Sequence, residues 1–123
     1  NEIPHDCEFL IIKTGFEKYR NDEIYWSRNP AYSPDIAKWL KHYRKKIRVI
    51  GFDSISLTGF NHRELGREAH RAFLSEKQDE HPILIVEDMK LSELSLSPTF
   101  VLISPLRVEG ADGSPVTIIA KIN

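Results

Sequence analysis

The side chains best suited to chemistry fall in three short stretches. The run Lys46-Ile47-Arg48-Val49-Ile50-Gly51-Phe52-Asp53-Ser54-Ile55-Ser56-Leu57-Thr58 rises through a β-branched stretch, Ile47 to Ile50, to a glycine and then delivers Asp53, Ser54 and Ser56. It reads as a buried strand ending in a polar loop, the place where layered α/β proteins present ligand-binding side chains on a rigid scaffold. The same residues could equally cap a turn and the helix that follows. His70 flanks the buried stripe of a later helix, about 60° around its axis from Phe73, and can serve as a ligand or as a boundary histidine with a satisfied hydrogen bond. A third stretch, Pro82-Ile83-Leu84-Ile85-Val86-Glu87-Asp88, is a buried strand ending in two carboxylates that point to opposite faces. The one facing the protein can be a salt-bridge partner, a cap or a metal ligand.

Two weaker candidates lie upstream. His5, Asp6 and Cys7 are adjacent, but three consecutive side chains of an extended segment cannot all converge on one ion, so a solvated terminus is the simpler reading. Residues 16–32 form a long irregular connection in which Phe16, Tyr19, Tyr25, Trp26 and Tyr32 lie among Arg20, Arg28 and Asn29. Such rings could stack on a planar ligand or pin the connection to the body.

The elements that must position these groups follow from patterning. Glu8–Thr14 is a continuous apolar run ended by Gly15, the mark of a central strand. Ser33, Pro34 and Asp35 start a helix as N-cap, first helical residue and first-turn acid, and Ile36, Trp39, Leu40 and Tyr43 supply one apolar face. The basic run Lys41–Lys46 ends that helix, where cations oppose the dipole. Asn61 and Glu64 form a capping box for a helix through Ser75, with Leu65, Ala69, Ala72 and Phe73 buried. A charged loop at 76–81 precedes the Pro82–Asp88 strand, a single helical turn follows at Leu91–Leu94, and strands Thr99–Ile103 and Val116–Ala120 close the chain. Strand, connection, helix, strand implies a crossover between parallel strands and an α/β class.

At 123 residues the chain has room for one domain, 1–123, with its own core. Seventeen basic against eighteen acidic side chains leave no field that would recruit nucleic acid or an anionic membrane. No apolar run approaches the ~20 residues that span a bilayer. The single Cys7 excludes an internal disulfide and a multi-cysteine zinc site, and fits a reducing, cytoplasmic setting. No nucleophile elbow, P-loop, dinucleotide fingerprint or H-E-x-x-H occurs. The chain begins with Asn-Glu-Ile-Pro, which suggests a processed start or a piece of a longer protein.

Taken in order, Leu-Ile-Ile-Lys-Thr-Gly, Tyr-Trp, Ser-Pro before a helix, Val-Ile-Gly-Phe-Asp-Ser-Ile-Ser, a helix bearing His70, Ile-Leu-Ile-Val-Glu-Asp-Met and Ile-Ser-Pro-Leu-Arg-Val-Glu-Gly-Ala-Asp-Gly-Ser-Pro-Val resemble the later part of the cyclase-family metal-dependent hydrolases. Bacterial kynurenine formamidases, of tryptophan catabolism, are the best-known members. The resemblance implies a swivelling β/β/α-type mixed sheet with flanking helices, and hydrolysis of a small-molecule amide, an aryl formamide or cyclic amide, using zinc or manganese. It implies His70 and Glu87 as metal ligands, and Asp53 and Ser56, with Trp26, as residues that shape the site. The family's early H-x-G-T-H-x-D-x-P-x-H segment is absent from these 123 residues, so no catalytic residue is assignable and the chain alone is expected to be inactive. The missing ligands would come from an upstream segment or a partner chain, and a homo-oligomer is expected. A non-catalytic binding or assembly module that keeps the fold is the alternative.

Overall fold

A computed structural model describes residues 2–76 and 80–122. The run Val49-Ile50-Gly51-Phe52, two β-branched residues and an aromatic around a glycine, makes the middle strand of its parallel sheet. This strand, β2 (Val49–Phe52), lies between β1 (Phe9–Ile12) and β3 (Leu84–Val86), giving the order β1-β2-β3. The registers Phe9↔Val49 and Val49↔Leu84 are both parallel. β1, expected from its apolar run to be central, is instead an edge strand of intermediate burial, while Ile50 and Phe52 of β2 are fully buried. Gly51 is required by close approach, because a Cβ there would meet the Met89 sulfur and the Phe9 ring inside 3.0 Å.

The connection after β1 is more ordered than its composition suggests. A 3-10 turn (Phe16–Tyr19) and a short helix α1 (Ile24–Ser27) occupy it. Helix α2 (Pro34–Tyr43) starts as its sequence dictates, with the Ser33 hydroxyl accepting from the Asp35 N–H at 3.2 Å. Its buried face is the expected one only at Leu40. Ala37, Leu40 and Lys41 are buried, whereas Ile36, Trp39 and Tyr43 are 36%, 44% and 56% exposed. The reason is that α2 packs against α3 (Arg63–Leu74) through a small residue, Ala37, and a lysine stem whose Nζ donates to the Ser75 carbonyl at 2.9 Å. That cation satisfies an orphan carbonyl at the end of α3. On the outer face the Trp39 and Tyr43 rings contact each other at a tilt, with centroids 5.4 Å apart, and Arg44 covers Trp39.

The expected capping box at the start of α3 does not form. His62 is the N-cap and makes no side-chain cap bond, because the chain enters through a turn closed by His62 N–H to the Gly59 carbonyl, which places Asn61 inside the turn. Gly66, Ala69 and Phe73 form the buried face of α3, and Leu65 is 40% exposed. The charged loop at 76–81 lies partly outside the described residues; His81 Nε2 donates to the Ile47 carbonyl at 2.9 Å. Residues 92–93 form a turn, not the expected turn of helix. The core of the parallel layer joins Leu40, Ile47, Ile50, Phe52, Phe73 and Ile83.

The chain divides into two compact units, residues 1–93 and 94–123. The second contains β4 (Phe100–Pro105) and β5 (Val116–Lys121), an antiparallel pair running from Phe100↔Lys121 to Pro105↔Val116. The class is α/β, with a parallel sheet, an antiparallel sheet and flanking helices. Among the described residues no helix is long and apolar enough to cross a membrane.

Candidate functional site

Parallel strands deliver their chain ends to one edge of the sheet, and the residues that follow β1, β2 and β3 meet there. Asp53 follows β2 directly and is fully buried. Its Oδ1 accepts from the Thr14 N–H at 2.9 Å and the Thr14 hydroxyl at 2.6 Å, and its Oδ2 from the Gly15 N–H at 2.6 Å. One carboxylate thereby ties the loop after β1 to the end of β2. Asp53 braces this loop from within the protein and does not face solvent.

Ser56 and Glu87 come together. The Glu87 Oε1 accepts from the Leu57 N–H at 2.7 Å and the Ser56 hydroxyl at 3.2 Å. The same oxygen lies 3.6 Å from Nε2 of His70, and both side chains are 35% exposed. Nδ1 of His70 lies 2.8 Å from the Gly66 carbonyl, which can only accept. That contact places the proton of a neutral imidazole on Nδ1 and leaves the Nε2 lone pair facing the carboxylate. Two lone-pair-bearing atoms held this way repel each other unless a proton or a cation lies between them.

This geometry can be tested against a divalent ion. A tetrahedral ion with N and O ligands at about 2.0–2.2 Å keeps neighbouring ligand atoms roughly 3.3–3.6 Å apart, so the separation fits two ligands of one centre. The outer contacts fit as well: the imidazole donates its other N–H to a carbonyl, and the carboxylate is hydrogen-bonded by Ser56 and Leu57. Among the described residues no group of three His, Cys, Asp or Glu side chains converges, so the pair falls short of the usual complement, and His5, Asp6 and Cys7 do not form a cluster.

On the other side of Glu87, Asp88 adopts a left-handed backbone, φ 59°. An aspartate tolerates this conformation better than most residues, at a cost of order 1 kcal/mol. Its carboxylate accepts from Arg20 Nη1 at 2.6 Å and from the Tyr25 hydroxyl, while Arg20 Nη2 reaches the Asp88 and Met89 carbonyls at 3.3 Å. Burial, then the Asp88 carboxylate that accepts its proton, push the Tyr25 hydroxyl above its usual range. Glu17 accepts from the Leu91 and Ser92 N–H groups. Burial works against its charge, but hydrogen bonds from the Ser92 side chain and these two N–H groups outweigh it and hold the carboxyl below the usual range. The connection is therefore strapped across the residues that follow β3.

Trp26 sits on α1. It is 47% exposed and packs edge-on against Phe60, with ring centroids 5.4 Å apart. Beside Phe60 a hollow of about 290 Å³ is lined by residues of the 27–29 and 59–62 segments. Buried Asn29 joins the two segments, donating to the Ser56 and Thr58 carbonyls at 3.2 and 2.8 Å. Arg20, Tyr25 and Asn29 are expected only as members of a connection that stacks on a ligand or pins itself to the body; their partners, and the Leu57 N–H, are not anticipated from sequence. Their partners lie 27 to 69 positions away, and no local pattern signals such contacts.

The family described as "Putative cyclase" matches residues 1–58, a segment that holds Trp26, Asp53 and Ser56 but stops before His70 and Glu87. Two relatives extend the similarity. An uncharacterized protein of Methanocaldococcus jannaschii is 31% identical over 124 residues, covering 98% of this chain and 56% of that protein. Cyclase-like protein 2 of Oryza sativa subsp. japonica is 35% identical over 89 residues, covering 72% of this chain and 30% of that protein. The chain thus spans about half the length of the first relative and less than a third of the second. No solved structure matches it. By sequence the chain is similar to the cyclase family.

Proposed function

We propose that this chain carries part of the metal site of a cyclase-family hydrolase that cleaves amide bonds, an aryl formamide or a cyclic amide. The observation that carries the reading is the facing pair, His70 Nε2 and Glu87 Oε1, 3.6 Å apart with the imidazole tautomer fixed by Gly66. His70 and Glu87 would hold zinc or manganese, and the chemistry such an ion supplies when bound is Lewis-acid activation of water and of the amide carbonyl. The Ser56 hydroxyl and Leu57 N–H orient the carboxylate, Asp53 holds the loop floor, and Trp26 with Phe60 offers an apolar edge for the substrate. Further ligands would come from another segment of a longer protein or from a partner chain in a homo-oligomer. The single free Cys7 is compatible with a reducing, cytoplasmic setting.

Zinc titration of the protein by calorimetry, with His70→Ala and Glu87→Gln alongside, tests this. Each variant is expected to lose about tenfold or more in zinc affinity, and turnover of an aryl formamide by the intact protein should fall with it. Unchanged metal affinity and turnover in Glu87→Gln would refute the assignment. The donor count of two among the described residues favours a second reading, a binding or assembly module that keeps the fold without hydrolysis. A protein that binds no zinc and hydrolyses no amide, alone or assembled, would establish it.

A further inference from the structure

We propose that Arg20 and Tyr25 are positioning residues for Glu87, acting through the left-handed Asp88. β3 ends at Val86, so the direction of the Glu87 side chain depends on the peptide that joins it to Asp88. With φ at 59°, Asp88 turns the chain sharply at this point. Were it to relax to the ordinary negative-φ region, that peptide would rotate and carry Glu87 away from Ser56, Leu57 and His70. The backbone on either side is anchored to β2 and its loop, by Asp88 N–H to the Ser54 carbonyl and Met89 N–H to the Phe52 carbonyl, each at 2.9 Å.

The side-chain half of the latch comes from the connection after β1. Arg20 grips the Asp88 carboxylate and two successive carbonyls, and Tyr25 donates to the same carboxylate. Tyr25 is itself held, with Phe16 stacked on its ring and the Arg20 guanidinium 5.4 Å from its centroid. The Arg20–Asp88 pair is 37% and 46% exposed, and an ion pair in that setting contributes little to stability by itself. What the cluster holds is a conformation, the one that presents Glu87. The importance of this for metal binding rests on the reading proposed above, but the latch does not.

The test separates the two. Glu87 accepts the Leu57 N–H, so amide hydrogen exchange at Leu57 reports where the carboxylate is, with the Phe73 amide in the buried face of α3 as an internal reference. In Arg20→Gln and in Tyr25→Phe, exchange at Leu57 is expected to rise about tenfold relative to Phe73, because the opening is local and leaves α3 intact. Should Arg20→Gln fail to fold, seen as loss of Phe73 protection, the near-isosteric Tyr25→Phe decides. Leu57 protection equal to wild type in the folded variants would overturn the proposal. Zinc affinity is measured on the same samples, with an expected fall of about tenfold. Zinc that never binds the wild type would sink the metal reading while the Leu57 rates still judge the latch.

Discussion

Asp53 joins two strand ends with one side chain, and the consequence of losing a single oxygen can be worked out. Itself fully buried, it accepts from two backbone N–H groups and a hydroxyl of the loop after β1, and those bonds stand in for solvation of its charge. Asp53→Asn keeps the shape but turns an amide N–H₂ toward a backbone N–H. We expect a loss of about 2 kcal/mol, measured by urea unfolding, since a buried donor left unsatisfied costs about 1–3 kcal/mol. Ser56→Ala, at a half-open position, should lose under about 1 kcal/mol by the same measure. At this scale the sequence was partly legible. The strand-then-polar-loop pattern located Asp53 and Ser56, but the choice between ligand-facing and bracing roles depended on Thr14 and Gly15, 38 to 39 positions away. His70 and Glu87 were picked out by resemblance to a family pattern, since helical spacing alone made His70 only a boundary residue.

Elements were more legible than the faces they bury. The order of strands and helices follows from β-branched runs and from the Ser33-Pro34 start, because those signals are local. The face of α2 was not legible, because Trp39 and Tyr43 fit a helical stripe as well as Ala37, Leu40 and Lys41 do, and only the partner helix decides. α3 depends on such a close approach at Gly66, where a Cβ would fall 2.2–2.5 Å from the Thr58 side chain. Gly66→Ala therefore sets two effects against each other. Alanine favours the helix by about 1 kcal/mol. Overpacking against the half-buried Thr58 costs about 1–3 kcal/mol, so the net change should be destabilising. Thr58 also lies 3.3 Å from His70 Nδ1, so the displaced loop should disturb the imidazole. Adding Thr58→Gly, which removes the clashing atoms, should restore most of the thermal midpoint; a double variant no more stable than Gly66→Ala would show that the clash is not the cause.

At the scale of the whole molecule, pH reads the balance between the buried tyrosines and the strap. Burial pushes the Tyr32 hydroxyl up to about 12, and pushes Tyr25 up as well, so the folded chain holds these protons more tightly than the unfolded chain, whose tyrosines titrate near 10. Stability from this source is complete below pH 10 and is lost as the pH rises toward 12. Glu17 acts at the other end: its lowered value contributes stability above the ordinary carboxylate range that is lost as the pH falls through the folded value. The expected profile is a plateau bounded by an alkaline fall in which a late rise of tyrosinate absorbance coincides with loss of circular dichroism. Tyr32 sharpens the test, because its hydroxyl and that of Ser54 are buried near one another without a well-formed hydrogen bond among the described residues. Tyr32→Phe keeps the ring stacked on Phe52, removes a poorly satisfied polar atom and deletes one of the late protons. It should leave the neutral-pH stability unchanged or raise it by up to about 1 kcal/mol, and move the alkaline midpoint upward. A variant that unfolds at the wild-type alkaline midpoint would mean that Tyr32 ionisation does not drive the fall, leaving Tyr25 as the group to replace next.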